Sequence, residues 1–225
     1  MMLKTGKAVK IKLEQTLLIR HFTVEHKGKT YYVEYANSDG YAYYLSNYQM
    51  KANNIKQIIK EYFFVNPTAR LRVRQIERNI KVPLPSAIKY AKELEKEGVL
   101  KKTSVANIAL YSADRTSRKF LVEKMLFNIK SIYTSGLFDY LIIEYSNPLI
   151  VLFGSYAKGE DIENSDIDIY LQTPAKKSLN LEKFEKLLER KIQIFNYNSI
   201  KSVENKELAN SIINGIVLNG FLEVF

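Results

Sequence analysis

Leu149-Ile150-Val151-Leu152-Phe153-Gly154-Ser155-Tyr156-Ala157-Lys158-Gly159 is followed after five residues by Ser165-Asp166-Ile167-Asp168-Ile169-Tyr170-Leu171, and the fold turns on this stretch. The five apolar residues before Gly154 have the length of a buried strand. Gly154 then lets the backbone come close to a ligand. The N–H groups beside it and the Ser155 hydroxyl lie where a helix begins, a setting suited to phosphate oxygens. Asp166 and Asp168 are two apart on a second apolar strand, so both carboxylates face one side while Ile167 and Ile169 turn to the other. Two acids on one face do not both stay ionised cheaply unless a cation joins them, and a divalent metal is the natural third party.

A lone Gly-Ser or a lone Asp-x-Asp carries little, because short motifs recur by chance. The combination Gly-Ser-x-Ala-x-Gly followed by Ser-Asp-x-Asp, each attached to an apolar strand, resembles the nucleotidyltransferase superfamily of DNA polymerase beta, especially its minimal and antibiotic-modifying members. The resemblance covers residues 148–225 and implies a mixed α/β sheet. It further implies that Gly154 and Ser155, with Ser165, hold the tail of a nucleoside triphosphate; Lys158 lies where the family often has Arg or Lys, with a solvated lysine as the other reading. Asp166 and Asp168 are then the catalytic carboxylates and the ligands of Mg2+ or Mn2+. One departure stands out. The family has a third acid on the strand after the next helix; here a helix over 180–190 leads into Arg190-Lys191-Ile192-Gln193-Ile194-Phe195, which puts Gln193 at that position. An amide cannot take a hydroxyl proton and is a weaker magnesium ligand, and the nearest acid, Glu189, belongs to the helix. Whether the protein is an enzyme therefore stays open at this point. One reading is Mg-dependent transfer of NMP from an NTP to an unknown acceptor. The other is a catalytically impaired, nucleotide-sensing transcriptional regulator. A scaffold or toxin–antitoxin partner has only family precedent behind it.

Upstream of this segment the charge changes. The 225-residue chain has a net charge of +10, divided as +3 over residues 1–50, +8 over 51–115 and −1 over 116–225. A domain-sized basic block suits a polyanion, because each phosphate neutralised releases condensed counterions; surface solvation by Lys and Glu is the competing explanation. Apolar residues recur at helical spacing over 55–64 and again at Val73, Ile76 and Ile80. Pro83-Leu84-Pro85 follows, and a third helix begins at Ser86, with Ala87, Ala91 and Leu94 as its buried stripe and Gly98 as its stop. Strands over 99–102 and 107–111 around the turn 103–106 complete a helix-helix-helix-hairpin order. With Asn66-Pro67, Val73-Arg74-Gln75-Ile76 and Leu94-Glu95-Lys96-Glu97-Gly98-Val99-Leu100, residues 54–112 resemble the winged helix-turn-helix of archaeal and bacterial regulators. That resemblance implies duplex DNA as a partner. Ser86, Lys89, Tyr90 and Lys92 would face the groove, and Arg70, Arg72, Arg74, Lys101 and Lys102 would reach phosphates. Dimerisation or domain packing is the other use of such a fold.

The expected organisation is α+β: a β-rich N-terminal extension (1–50), a winged helix (51–115), connecting helices (116–147) and a nucleotidyltransferase-like domain (148–225). Residues 16–46 read as a three-stranded meander around His26-Lys27-Gly28-Lys29 and Asn37-Ser38-Asp39-Gly40, with tyrosines that could stack on bases or pack across the sheet. Phe120, Leu121, Met125, Ile129 and Ile132 predict a helix that packs in the core or forms a homodimer seam. The absence of cysteine excludes disulfides, thiolate metal sites and a cysteine nucleophile, and with His21 and His26 as the only histidines a zinc enzyme is not expected. No apolar run reaches membrane-spanning length and no secretory leader is visible, which predicts a cytoplasmic protein without membrane partners.

Overall fold

The computed structural model describes residues 22–26, 29–36, 42–44, 47–175 and 177–224. Backbone contacts divide the chain into two compact units, residues 1–55 and 56–225. In the first, β1 (Phe22–His26), β2 (Lys29–Ala36) and β3 (Ala42–Tyr44) form an antiparallel sheet of order β1-β2-β3. The expected meander is thus present over 22–44. The turn residues 27–28 and 37–41, and the side chains of the tyrosines considered for stacking, lie outside the described residues.

The helix α1 (Asn47–Val65) runs across the division between the two units at residues 55 and 56. It buries Ile59, Phe63 and Phe64 and ends at Asn66-Pro67, where proline cannot donate to continue the ladder. Then come β4 (Arg70–Leu71), α2 (Val73–Ile80), α3 (Leu84–Lys96), β5 (Leu100–Val105) and β6 (Ile108–Ala113), with the strands in antiparallel order β4-β6-β5. Two details differ from the sequence expectation. The third helix starts at Leu84 rather than Ser86, because Pro85 with its fixed φ fits a first helical turn. The hairpin closes on two residues instead of four: Ala106 and Asn107 have φ of 45° and 63°, the left-handed pair whose twist matches that of antiparallel strands.

The helices α4 (Arg118–Thr134) and α5 (Leu137–Glu144) follow. Phe64 lies 5.5 Å from Phe120 and 5.4 Å from Phe127, and Lys60 pairs with Glu123 at 2.7 Å, so α1 and α4 share one core and the packing has no break near residue 115. The remaining elements are β7 (Leu149–Phe153), α6 (Gly154–Lys158), β8 (Ile167–Gln172), α7 (Glu182–Leu188), β9 (Ile192–Tyr197), α8 (Lys206–Ile213) and β10 (Ile216–Asn219). They build a mixed sheet of order β10-β7-β8-β9, antiparallel except for the parallel β8–β9 pair. One face packs Ile150, Leu152, Ile167 and Ile169 against Ile132, Leu141 and Phe184 of the helices; the other packs Val151, Phe153 and Tyr170 against Ile200, Val203 and Ile212. Because β7 is buried on both faces, its sequence is continuously apolar instead of alternating. Among the described residues no helix is long and apolar enough to cross a membrane.

Candidate functional site

Strand alternation and register bring the predicted residues together. Phe153, the last residue of β7, pairs with Asp168 across the antiparallel ladder, and Asp168 pairs with Gln193 across the parallel one. Ile167 and Ile169 are fully buried on the opposite face, so Asp168 shares its face with Tyr170, Phe195 and Gln193. Asp166 is exposed, one residue before β8 begins. Gly154 follows β7 with φ of 74°, and a Cβ built on it would overlap the Asp168 carboxylate. Glycine is therefore required here twice, once by the left-handed backbone and once by the close approach of the acid. Ser155 occupies the second position of α6, and Lys158 is exposed at its last.

Half-burial raises the proton affinity of Asp168, and the charge of Asp166 adds to the shift. Ionising Asp168 costs free energy at this spot, and a nearby cation would recover it. No group of three or more His, Cys, Asp or Glu side chains suited to a metal is present among the described residues. What the site offers is two carboxylates and, beside Asp168, the Gln193 amide. This all-oxygen donor set fits a hard divalent cation that keeps positions for phosphate and water.

The Oγ of Ser165, expected to hold the triphosphate, accepts a hydrogen bond from the Ile162 N–H at 2.9 Å, which closes the loop that carries it. The same loop contains a feature that the sequence reading missed. Asp161 is 1% exposed; its Oδ1 pairs with the Lys124 ammonium and accepts from Asn128 Nδ2 at 2.7 Å, and its Oδ2 lies 3.5 Å from Arg190. Burial pushes the Lys124 pKa down against the pull of Asp161. Arg190 also donates to the backbone carbonyls of Val65 at 2.8 Å and Glu189 at 2.9 Å. A pocket of about 550 Å³ adjoins Asp166 and is lined by Glu163, Glu185, Arg190 and Lys191 among others. The signal in the sequence was Lys124 and Asn128, polar residues at helical spacing with buried Phe120 and Ile132.

On the basic segment, Arg70, Arg72, Arg74, Lys89, Lys92, Lys101 and Lys102 are all exposed and Ser86 is partly so. Tyr90 is the exception and a correction. It is 8% exposed because it falls on the buried stripe of α3 with Ala87, Ala91 and Leu94, so its ring cannot face a duplex.

Residues 140–218 match the family model described as nucleotidyltransferase domain, the segment that begins in α5 and ends in β10. The match supports the nucleotidyltransferase superfamily for these residues, and with it the general transfer of a nucleoside monophosphate from a triphosphate. No curated protein and no solved structure matches the chain.

Proposed function

We propose that the site formed by Gly154, Ser155, Asp166 and Asp168 at the ends of the central strands β7 and β8 binds a nucleoside triphosphate together with Mg2+ or Mn2+ and transfers NMP to an acceptor. The observation that carries this reading is the seating of the Asp168 carboxylate against the Cα of Gly154, with Asp166 two residues away and a nucleotidyltransferase match over the same strands. Asp166 and Asp168 would hold the metal, and Gly154 and Ser155, with Lys158 at the far end of α6, would orient the triphosphate. A bound divalent cation supplies charge neutralisation on the phosphates during in-line displacement at the α-phosphorus, with pyrophosphate as the leaving group. Titration calorimetry with Mg2+ or Mn2+ and ATP tests the assignment. Binding by the wild type that is lost in Asp166→Asn/Asp168→Asn is expected; equal affinity in the two proteins would overturn it.

We further infer that residues 51–115 form a winged helix that binds duplex DNA, supported by the +8 charge and by the exposed Arg70, Arg72, Arg74, Lys89, Lys92, Lys101 and Lys102. A second reading, a nucleotide-sensing regulator without turnover, is favoured by one observation: Gln193 stands beside Asp168 where a third acid would complete the set. On either reading the protein works in the cytoplasm.

A further inference from the structure

The loop between the Gly154 turn and the Asp-x-Asp strand is held from outside the segment that matches the nucleotidyltransferase family. Residues 160–166 carry three anchored side chains. Asp161 is gripped by Lys124 and Asn128 of α4 and faced by Arg190. Glu163 accepts from both the backbone N–H and the hydroxyl of Thr68, each at 3.0 Å, in the turn between α1 and β4. Ser165 closes the loop on Ile162. Asn128 Nδ2 also donates to the Tyr156 carbonyl at 2.8 Å, so one amide ties α6 and Asp161 together. Gly159 presses on α4 so closely that a Cβ there would run into the Leu121 and Met125 backbone. Arg190 carries the same anchor to the start of β9, three residues before Gln193. Thr68, Lys124 and Asn128 all lie before residue 140.

We infer that Asp161 is a positioning residue: clamped by Lys124, Asn128 and Arg190, it fixes the 160–166 loop and thereby sets Asp166 and Asp168 relative to the Gly154-Ser155 turn. The inference rests on the reading of those two acids as metal ligands. A buried ion pair alone is weak support for a stabilising role, since well-packed apolar replacements are often as stable. Its location explains it better. Lys124 and Asn128 belong to α4, which packs on α6, Arg190 lines the pocket that adjoins Asp166, and the anchored loop is the connection from one half of the motif to the other.

The test uses the full chain, with free Mn2+ followed by electron paramagnetic resonance and amide hydrogen exchange of residues 160–168 measured without metal. The variants are Asp161→Asn, the pair-removing Lys124→Met/Asp161→Asn in case the single change does not fold, and Leu94→Ala, which leaves a core cavity in α3 as a stability control. In both Asp161 variants, Mn2+ affinity is expected to fall by roughly tenfold or more and loop exchange to accelerate, as when groups that orient ligands are lost. Leu94→Ala should lower the Tm and change neither. Unchanged Mn2+ affinity and loop protection in a folded Asp161 variant would make the cluster structural only and overturn the inference. Wild-type protein that takes up no Mn2+, or does so equally after Asp166→Asn/Asp168→Asn, would overturn the metal reading itself and this inference with it.

Discussion

Gly154 and Asp168 constrain each other atom against atom, and substitutions at the two positions should move stability in opposite directions. Gly154→Ala combines left-handed backbone strain with displacement of the Asp168 carboxylate. A loss of ~2 kcal/mol is expected, or ~4–8 °C in Tm for a chain of this size, together with loss of Mn2+ binding. Asp168→Asn should also abolish metal binding but without loss of stability. Because the carboxyl pKa is raised in the fold, the folded state holds its proton more tightly than the unfolded chain does. Its ionised form therefore opposes folding at neutral pH, and that penalty fades as pH falls through the raised value toward the ordinary carboxylate range. Thermal melts of metal-free protein should show the Asn variant at least as stable as wild type near neutrality, the difference closing in acid. A variant markedly less stable at neutral pH would show that the carboxylate is held by favourable partners instead.

At the level of elements, the paired apolar strands were legible because burial imposes composition: β7 is covered on both faces and β8 sets Asp168 between two buried isoleucines. The flanking Gly154 and Gly159 could be read for the same reason, since only glycine meets both their φ and their contacts. Other elements left little trace. β4 is two residues long, too short for any periodicity, and exists because Arg70 and Leu71 pair with Ser112 and Tyr111. Tyr90 looked like a groove contact because tyrosine suits both roles; the helical stripe it shares with Ala87 and Leu94 decides for the core. Asp161 was invisible because its partners Lys124 and Arg190 lie far away in sequence and charge is ordinarily assigned to the surface. The register of β9 on β8 carries the sharpest prediction at this scale. With Gln193 paired to Asp168, Gln193→Asp places a third carboxylate on one face. Metal-free Tm should drop through repulsion and recover on adding Mn2+; Mn2+ affinity should rise. Any transfer should speed up, a positioned base being worth ~10²–10⁴ in rate. A wild-type enzyme of ordinary turnover that this change slows would show that Gln193 is not standing in for a lost base.

Across the whole molecule the charge is divided as the proposed activities are, +8 over residues 51–115 against −1 over 116–225. Two acids at the end of the central strands in a nearly neutral segment suit a metal–triphosphate complex, and the basic segment suits a phosphate backbone. If Arg70, Arg72, Arg74, Lys89, Lys92, Lys101 and Lys102 all reached phosphates, log K for duplex DNA would fall with log salt at a slope of about −6, near 0.9 per contact. Fewer contacts give a proportionally shallower line, so the slope measured on the full chain counts them. Lys89→Ala should weaken binding and reduce the slope by about one. Tyr90→Phe should leave both unchanged, because the ring is packed against the helix core and not offered to the groove. Fluorescence anisotropy with a labelled duplex across a salt series reads all three proteins. Absence of binding at low salt, or a slope that Lys89→Ala does not move while affinity falls, would remove α3 from the DNA contact and leave the basic block as a solvated surface.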